Sequence, residues 1–271
     1  MERIRLDRAL VERGLVASRS RAAQLVQSGA VTVDGQPVLR PALKISSDQS
    51  VVLSELDPWV SRAAHKLIGA LDACPEISVA GARCLDAGAS TGGFTQVLLS
   101  RDAAHVVAAD VGHDQLAAPL REDPRVENHE GLNLRHLRPG QLGESFDLIV
   151  ADLSFISLRL VMPALAHQIR PGGDLLMMVK PQFEIGRERL SRTGVVTSPQ
   201  LRHEAVAGVV DSALQVGLTL ASVHRSALTG QDGNLEFFLH LRRPTAQDPD
   251  TQDAVSEVDS KLGSIAFDDK E

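Results

Sequence analysis

Apolar and polar positions along this chain change period at several points. In the first 45 residues, Leu6, Leu10 and Val11 recur at helical spacing, and Gly14 follows as a C-terminal cap. Ser18 is placed to cap a second helix carrying Ala22, Ala23, Leu25 and Val26, which ends near Gly29. AVTVDGQPV then reads as strand, Asp34-Gly35 turn, strand. Residues 46–60 read as a connector ending in SELDPWV, and 61–73 (SRAAHKLIGALDA) as a helix.

From residue 84 the pattern is different. The apolar runs CLDAG, HVVAAD, DLIVAD, DLLMMVK, TLASVHR and LEFFLHL are separated, for the most part, by about 10–20 residues of helical periodicity. This alternation predicts an α/β fold, a Rossmann-like and mostly parallel sheet with helices on both faces. The last run follows TLASVHR closely, through a loop containing TGQDGN, so it is expected to run antiparallel. There is no internal repeat.

Composition adds boundaries. The chain has 271 residues, 43% hydrophobic and 23% charged, enough for one large or two modest soluble domains. Its two cysteines, Cys74 and Cys84, form no C-x-x-C motif, which favours a reduced, cytosolic chain without a thiolate metal site. The opening MERIRLDRAL lacks the apolar stretch of a signal peptide, and no 18-residue uncharged apolar run exists to span a membrane. The net charge of −7 hides a segregation. Residues 1–45 carry eight Lys/Arg against four Asp/Glu, and residues 244–271 carry two against eight. A basic front end suits a polyanion partner, and the acidic tail is expected to be disordered.

The stretch LDAGASTGGF (85–94) is a strand-to-helix turn of the kind that wraps a nucleotide. A dinucleotide fingerprint needs a middle glycine, and Ser90 stands there. A triphosphate loop needs a lysine where Phe94 stands. S-adenosylmethionine (SAM) has no phosphate and needs only small residues beside its methionine portion and an acid for its ribose. Asp110 ends the next apolar run, about 24 residues after Asp86, where a carboxylate can accept both ribose hydroxyls. The alternative is that the glycines only tighten the turn and Asp110 only caps a strand.

Read together and in order, SRAAHKL (61–67), LDAGASTGGFTQVLL (85–99), AADVG (108–112), ADLSFISL (151–158), MVKPQFE (178–184) and EFF (236–238) resemble the TlyA family. The methyltransferase half of that family is similar to FtsJ-type ribose methyltransferases. Its front end resembles the RNA-binding module first described in small-subunit ribosomal protein S-four. The resemblance covers about residues 3–243. It implies a front module with connector at 1–60, a SAM-dependent methyltransferase domain at 61–243 and a tail at 244–271. It also implies 2′-O-methylation of ribose, at cytidine, in ribosomal RNA.

By motif, the Lys-Asp-Lys-Glu tetrad of FtsJ-type enzymes falls on Lys66, Asp152, Lys180 and Glu236. The candidate cofactor contacts are Asp86, Gly88, Ser90, Thr91, Gly92, Gly93 and Phe94 of the turn, with Asp110, Val111 and Asn133. The chain departs from the family in the connector. Asp57 of DPWV stands where a basic residue is expected in mycobacterial members, leaving Trp59 as the suggestive residue there.

The chemistry suits the tetrad. A ribose hydroxyl must lose its proton as the methyl arrives, the sulfonium supplies the driving force, and no metal is called for. A lysine serves as base when a neighbouring cation or burial favours its neutral form. Lys180 closes an apolar run and Asp152 closes another, so both should open onto the crevice at the strand ends. Taken singly, Lys66 could be a solvated helix charge, Asp152 or Asn133 a turn residue, and Glu236 a solvent-facing strand position.

In the front module, Arg19 and Arg21 sit in the first turn of the second helix, where cations oppose the helix dipole unless a phosphate docks there. Arg3, Arg5 and Arg8 extend that face. With no tyrosine and 3% aromatics, RNA contact should rest on backbone charge and shape rather than stacking. Two rival readings stand beside the enzyme: a membrane-active haemolysin, a label the family has carried, and an RNA-binding assembly factor with a vestigial SAM pocket.

Overall fold

A computed structural model describes residues 3–27, 29–53, 58–248 and 257–268, in two units, Met1–Pro58 and Trp59–Glu271. Asp57 lies outside the described residues.

In the front unit, helix α1 (Leu6–Glu12) and helix α2 (Arg19–Gln27) pack together. Their apolar stripes, Leu6, Ala9 and Leu10 with Ala22, Leu25 and Val26, bury against Val31, Val33 and Ile45. Ser18 caps α2 as expected, its Oγ accepting the Arg21 N–H at 3.2 Å. Strands Val31–Val33 and Gln36–Pro37 pair across Asp34 and Gly35, whose φ values of +50° and +79° are those of a type I′ hairpin turn. Two further pairings lie outside the periodic pattern. Ile4–Arg5 pairs with Lys44–Ile45, and Val51–Leu53 joins the edge of Val31–Val33. Strands of two or three residues are too short to show a period, so ordered structure extends into the stretch read as connector.

The larger unit is built on a seven-stranded sheet. Its strands, named here a to g in chain order, are a (Arg83–Ala87), b (His105–Ala109), c (Val126–His129), d (Phe146–Ala151), e (Ile169–Val179), f (Thr219–Arg225) and g (Phe237–Arg242). Their spatial order is f-g-e-d-a-b-c, and g alone runs opposite to the other six. The six apolar runs all become strands, and the expected reversal of the last one is present. Strand c is not among those runs, because RVENH is largely polar and lies at the sheet edge.

Alternate side chains of each central strand enter opposite cores. Leu85, Ile149, Leu175 and Met177 pack on one face, and Cys84, Leu148, Leu176 and Met178 on the other. Burial on both faces explains why these strands are continuously apolar. Helix α3 (Ala63–Ala73) and helix α4 (Gly93–Ser100) cover one face, and helix α5 (Leu158–Ala166) with helix α6 (Pro199–Gln215) the other.

The tail differs from expectation. Val258–Gly263 is helical, and Val258 and Leu262 join the core, with Ile265 and Phe267 packed against it. Lys261 Nζ donates to the Leu220 carbonyl at 2.9 Å, and the Phe267 ring lies 5.0 Å from Phe237. Buried Arg202 donates to the Phe267 carbonyl at 2.8 Å. Four apolar side chains in an acidic context are too few to give a periodic signal, yet they suffice once a sheet edge receives them.

Candidate active site

Strands a, b and c run in one direction from the centre of the sheet and strand d lies on the other side of a. The crevice at such a reversal opens at the carboxyl ends of the strands. Four of those ends supply Gly88, Asp110, Asp152 and Lys180. Because g is reversed, it begins where its neighbours finish, and Glu236 precedes it at the same edge. Lys66, on the first half of α3, completes the group.

The four tetrad residues form two ion pairs in one cavity of about 500 Å³. Lys66 Nζ donates to Glu236 Oε2 at 2.5 Å, both side chains being buried, with Met178 Sδ 4.0 Å away. Lys180 Nζ lies 2.6 Å from Asp152 Oδ1 and donates to Ser154 Oγ at 2.8 Å. Ser61, Arg62, Ser154, Phe155 and Phe183 also line this cavity. Phe155 is 91% exposed, holds φ +64° and lies 5.3 Å from the Phe183 ring. The motif ADLSFISL contains Ser154 and Phe155, but an exposed phenylalanine has no periodic signature, so neither stands out in the sequence.

A second cavity of about 560 Å³ adjoins the first and shares Gly88, Ser90, Asp152, Ser154 and Phe155 with it. Asp110, Val111 and Asn133 line it beside the apolar Leu132, Leu134, Leu153 and Ile156. Asp110 is held in place by two backbone donors, Ser90 N–H at 2.9 Å and Gly112 N–H at 2.7 Å. Asn133 has a capping task, its Oδ1 accepting the Arg135 N–H at 3.1 Å, while it also faces the cavity. Val111 is 69% exposed at the rim.

The turn divides into residues that face the cavities and residues that support them. Gly88, Ser90, Thr91, Gly93 and Phe94 are lining residues. Gly88 holds φ +88°, and a Cβ there would lie 2.9 Å from the Asp152 carbonyl oxygen, so a glycine lets the turn sit against the end of strand d. Gly92 packs away from both cavities, where a Cβ would strike Leu120. Asp86 does not reach them either. It is fully buried, its Oδ2 accepting the Thr95 hydroxyl at 2.7 Å while Oδ1 has no partner. Burial pushes its carboxyl up to about 7. Of the residues expected to contact a cofactor, Asp86 and Gly92 thus line neither cavity, and Asp86 instead ties the turn to Thr95 of α4. Trp59 is half-buried and packs on the core beside α3 and α4.

In the front unit the five arginines divide among different partners. Arg5 and Arg19 converge on buried Asp7, with Arg5 paired through both nitrogens at 2.8 and 3.0 Å and Arg19 at 3.3 Å. Hydrogen bonding from Arg5 holds the Asp7 carboxyl down to about 2, against the opposing effect of burial. Both guanidinium groups remain about half-exposed. Arg8 turns to Glu12 at 2.6 Å, Arg21 contacts Gln24 at 3.5 Å, and exposed Arg3 acts on Asp48 from a distance.

The sequence matches the FtsJ-like methyltransferase family over residues 59–243 and the S4 domain over residues 4–51. It is 52% identical to the 16S/23S rRNA (cytidine-2'-O)-methyltransferase TlyA of Mycobacterium tuberculosis, across 90% of this chain and 91% of that protein. It is 34% identical to Hemolysin A of Brachyspira hyodysenteriae, across 88% of this chain and 99% of that one. A solved hemolysin-named structure from Streptococcus thermophilus superposes with a TM-score of 0.70 at 33% identity, covering 97% of this chain and 98% of its own. With a sheet, crevice and tetrad of this design behind an S4 domain, the chain belongs to the TlyA family of FtsJ-like methyltransferases.

Proposed function

We propose that this protein transfers the methyl group of SAM to a ribose 2′-hydroxyl, at cytidine, in ribosomal RNA, and does so in the cytoplasm. The observation that carries this reading is the pair of lysine–carboxylate contacts in one cavity that adjoins a second, mostly apolar cavity bearing Asp110. The second cavity fits the cofactor: its apolar walls suit adenine, and Asp110 is oriented by backbone donors to accept from a ribose. SAM, when bound, supplies an electrophilic methyl on a sulfonium.

The remaining steps belong to the chain. Asp152 lines both cavities, so the Lys180–Asp152 pair stands at their junction, where the hydroxyl and the methyl must meet. Lys180 Nζ hands one proton to its partner Asp152, and the neutral amine, fixed by its hydrogen bond to Ser154, then orients the hydroxyl and takes its proton as the methyl arrives. Lys66 and Glu236, more deeply enclosed, hold the far wall and keep a second positive charge in the cavity. Phe155 offers an exposed ring at the mouth for a base turned out of its stack. In the front unit, Arg5 and Arg19 present two cations side by side for RNA phosphates.

The deciding experiment is methylation-site mapping on rRNA from cells with and without the gene, repeated with purified protein and ribosomal subunits. Identical maps, together with no methyl transfer in vitro, would sink the reading. The haemolysin names of two relatives suggest a second one. Among the described residues no helix is long and apolar enough to cross a membrane. Dye release from protein-free liposomes separates the two.

A further inference from the structure

Away from the crevice, Cys74, Glu76 and His240 bring a thiol, a carboxylate and an imidazole to one point, with their ligand atoms all within 4.8 Å of one another. Among the described residues no other group of His, Cys, Asp or Glu does so. Cys74 ends α3, Glu76 lies two residues further on, and His240 is on strand g. Cys74 is 0% exposed and His240 1%, while the Glu76 side chain is half in solvent and leaves a way in.

We propose that Cys74 Sγ, Glu76 Oε1 and His240 Nδ1 form a site for a borderline-soft divalent cation of the zinc class, clamping the end of α3 to strand g.

Three features carry this assignment. The ligand set of one sulfur, one nitrogen and one carboxylate oxygen suits Zn²⁺ rather than Mg²⁺ or Ca²⁺, which take oxygen ligands. The spacing is close to that of a bound ion. His240 Nδ1 and Glu76 Oε1 are 3.1 Å apart, a direct contact that an entering ion would replace. Bonds of about 2.0 Å in a tetrahedron hold two such ligands roughly 3.3 Å apart. The other ring nitrogen is also engaged as a metal-bound histidine requires: His240 Nε2 lies 2.8 Å from Asp174 Oδ1 on strand e, a carboxylate that fixes the tautomer and turns Nδ1 toward the cluster. Ser222 Oγ, 3.8 Å from Cys74 Sγ and bonded to His224 at 2.8 Å, borders the remaining side, where a water can complete four-coordination.

The location gives the clamp its consequence. α3 carries Lys66 toward one end and Cys74 at the other, and His240 follows Glu236 by four residues. The same two elements that make the Lys66–Glu236 contact would be tied again about 13 Å further along the strand. The proposal runs against the expectation that the chain lacks a thiolate metal site, and no C-x-x-C motif exists to signal one.

The test uses the full-length protein, stripped with a chelator and titrated with Co²⁺ and then Zn²⁺. One equivalent of Co²⁺ is expected to give a thiolate-to-metal absorption band that Zn²⁺ abolishes. Zn²⁺ at about 100 times its Kd should raise Tm by about 5–10 °C. Cys74→Ala should remove the band, whereas Cys84→Ala should keep it. Asp174→Asn should weaken binding by about 10–100-fold. Glu76→Gln, at a half-exposed position that the fold tolerates, should weaken it at least tenfold even if the buried variants do not fold. Absence of a thiolate band at stoichiometric Co²⁺, a band that survives Cys74→Ala, or unchanged affinity in Glu76→Gln would each overturn the site.

Discussion

Asp7 in the front unit is 4% exposed and Asp86 in the larger unit 0%, yet their surroundings push the two carboxyls in opposite directions. Asp7 receives Arg5 and Arg19 and is held down to about 2. Asp86 receives Thr95 alone, leaves one oxygen without a partner and is pushed up to about 7. Burial alone disfavours charge, and what decides the outcome is whether a cation can reach the carboxylate. In the front unit the cations do so from the surface and stay half-exposed, available to another anion. In the larger unit two of the buried cations, Lys66 and Lys180, are spent on Glu236 and Asp152 around a cavity. Under the proposed function, the first arrangement serves a large anionic partner and the second serves chemistry.

The strongest test of this contrast is at the enclosed end. Lys180→Met should lower single-turnover methyl transfer by about 10²–10⁴-fold, as loss of a general base does, while calorimetry shows SAM affinity preserved. A variant retaining more than about a tenth of wild-type turnover would remove Lys180 from that role. Next comes Asp110→Ala, which should weaken SAM binding by about 1–3 kcal/mol, the range for removing a charged hydrogen bond. Unchanged affinity by calorimetry would place the ribose elsewhere.

The two buried aspartates give a pH test of intermediate size. The folded pKa of Asp86 lies above its unfolded value of about 3.9, so the folded state holds the extra proton. Its contribution to stability therefore falls as pH rises from about 4 to about 7, by at most about 1.4 kcal/mol per pH unit, and is level above that. Asp86→Asn should flatten the pH dependence of thermal melts in this window, and an identical slope would mean that the carboxyl stays ionised. Asp7 has the opposite sign. Its folded pKa is below the unfolded one, so its contribution is present above about pH 4 and is lost as pH falls toward 2.

The smallest expected effect is at the open end. Replacing Arg5 and Arg19 together with Ala should leave SAM binding intact. It should also flatten the plot of log RNA affinity against log salt by about 0.7–0.9 for each phosphate that is no longer neutralised. Arg21→Ala should change it less, because Arg21 stands apart from the Asp7 cluster. If Arg21 alone shifts the slope and the Arg5–Arg19 pair does not, RNA docks on another part of the front unit.

Much of the fold is legible in the sequence. Strands buried on both faces must be apolar at nearly every position, so six of the seven stand out, and the turn at 88–93 announces itself because few residues other than glycine accept positive φ. Strand ends that finish in Asp110, Asp152 and Lys180 follow directly, since parallel strands deliver their carboxyl ends to one edge. Tertiary structure alone decided the rest. Glu236 meets Lys66, 170 residues earlier, only because strand g inserts in reverse between e and f. Asp86 is buried beneath the turn, Arg5 and Arg19 converge on Asp7, and the tail helix finds a sheet edge, because each depends on which neighbours the fold brings together. Period and propensity are local quantities, whereas the pairing of charges and the filling of a core are set by contacts that sequence order does not contain.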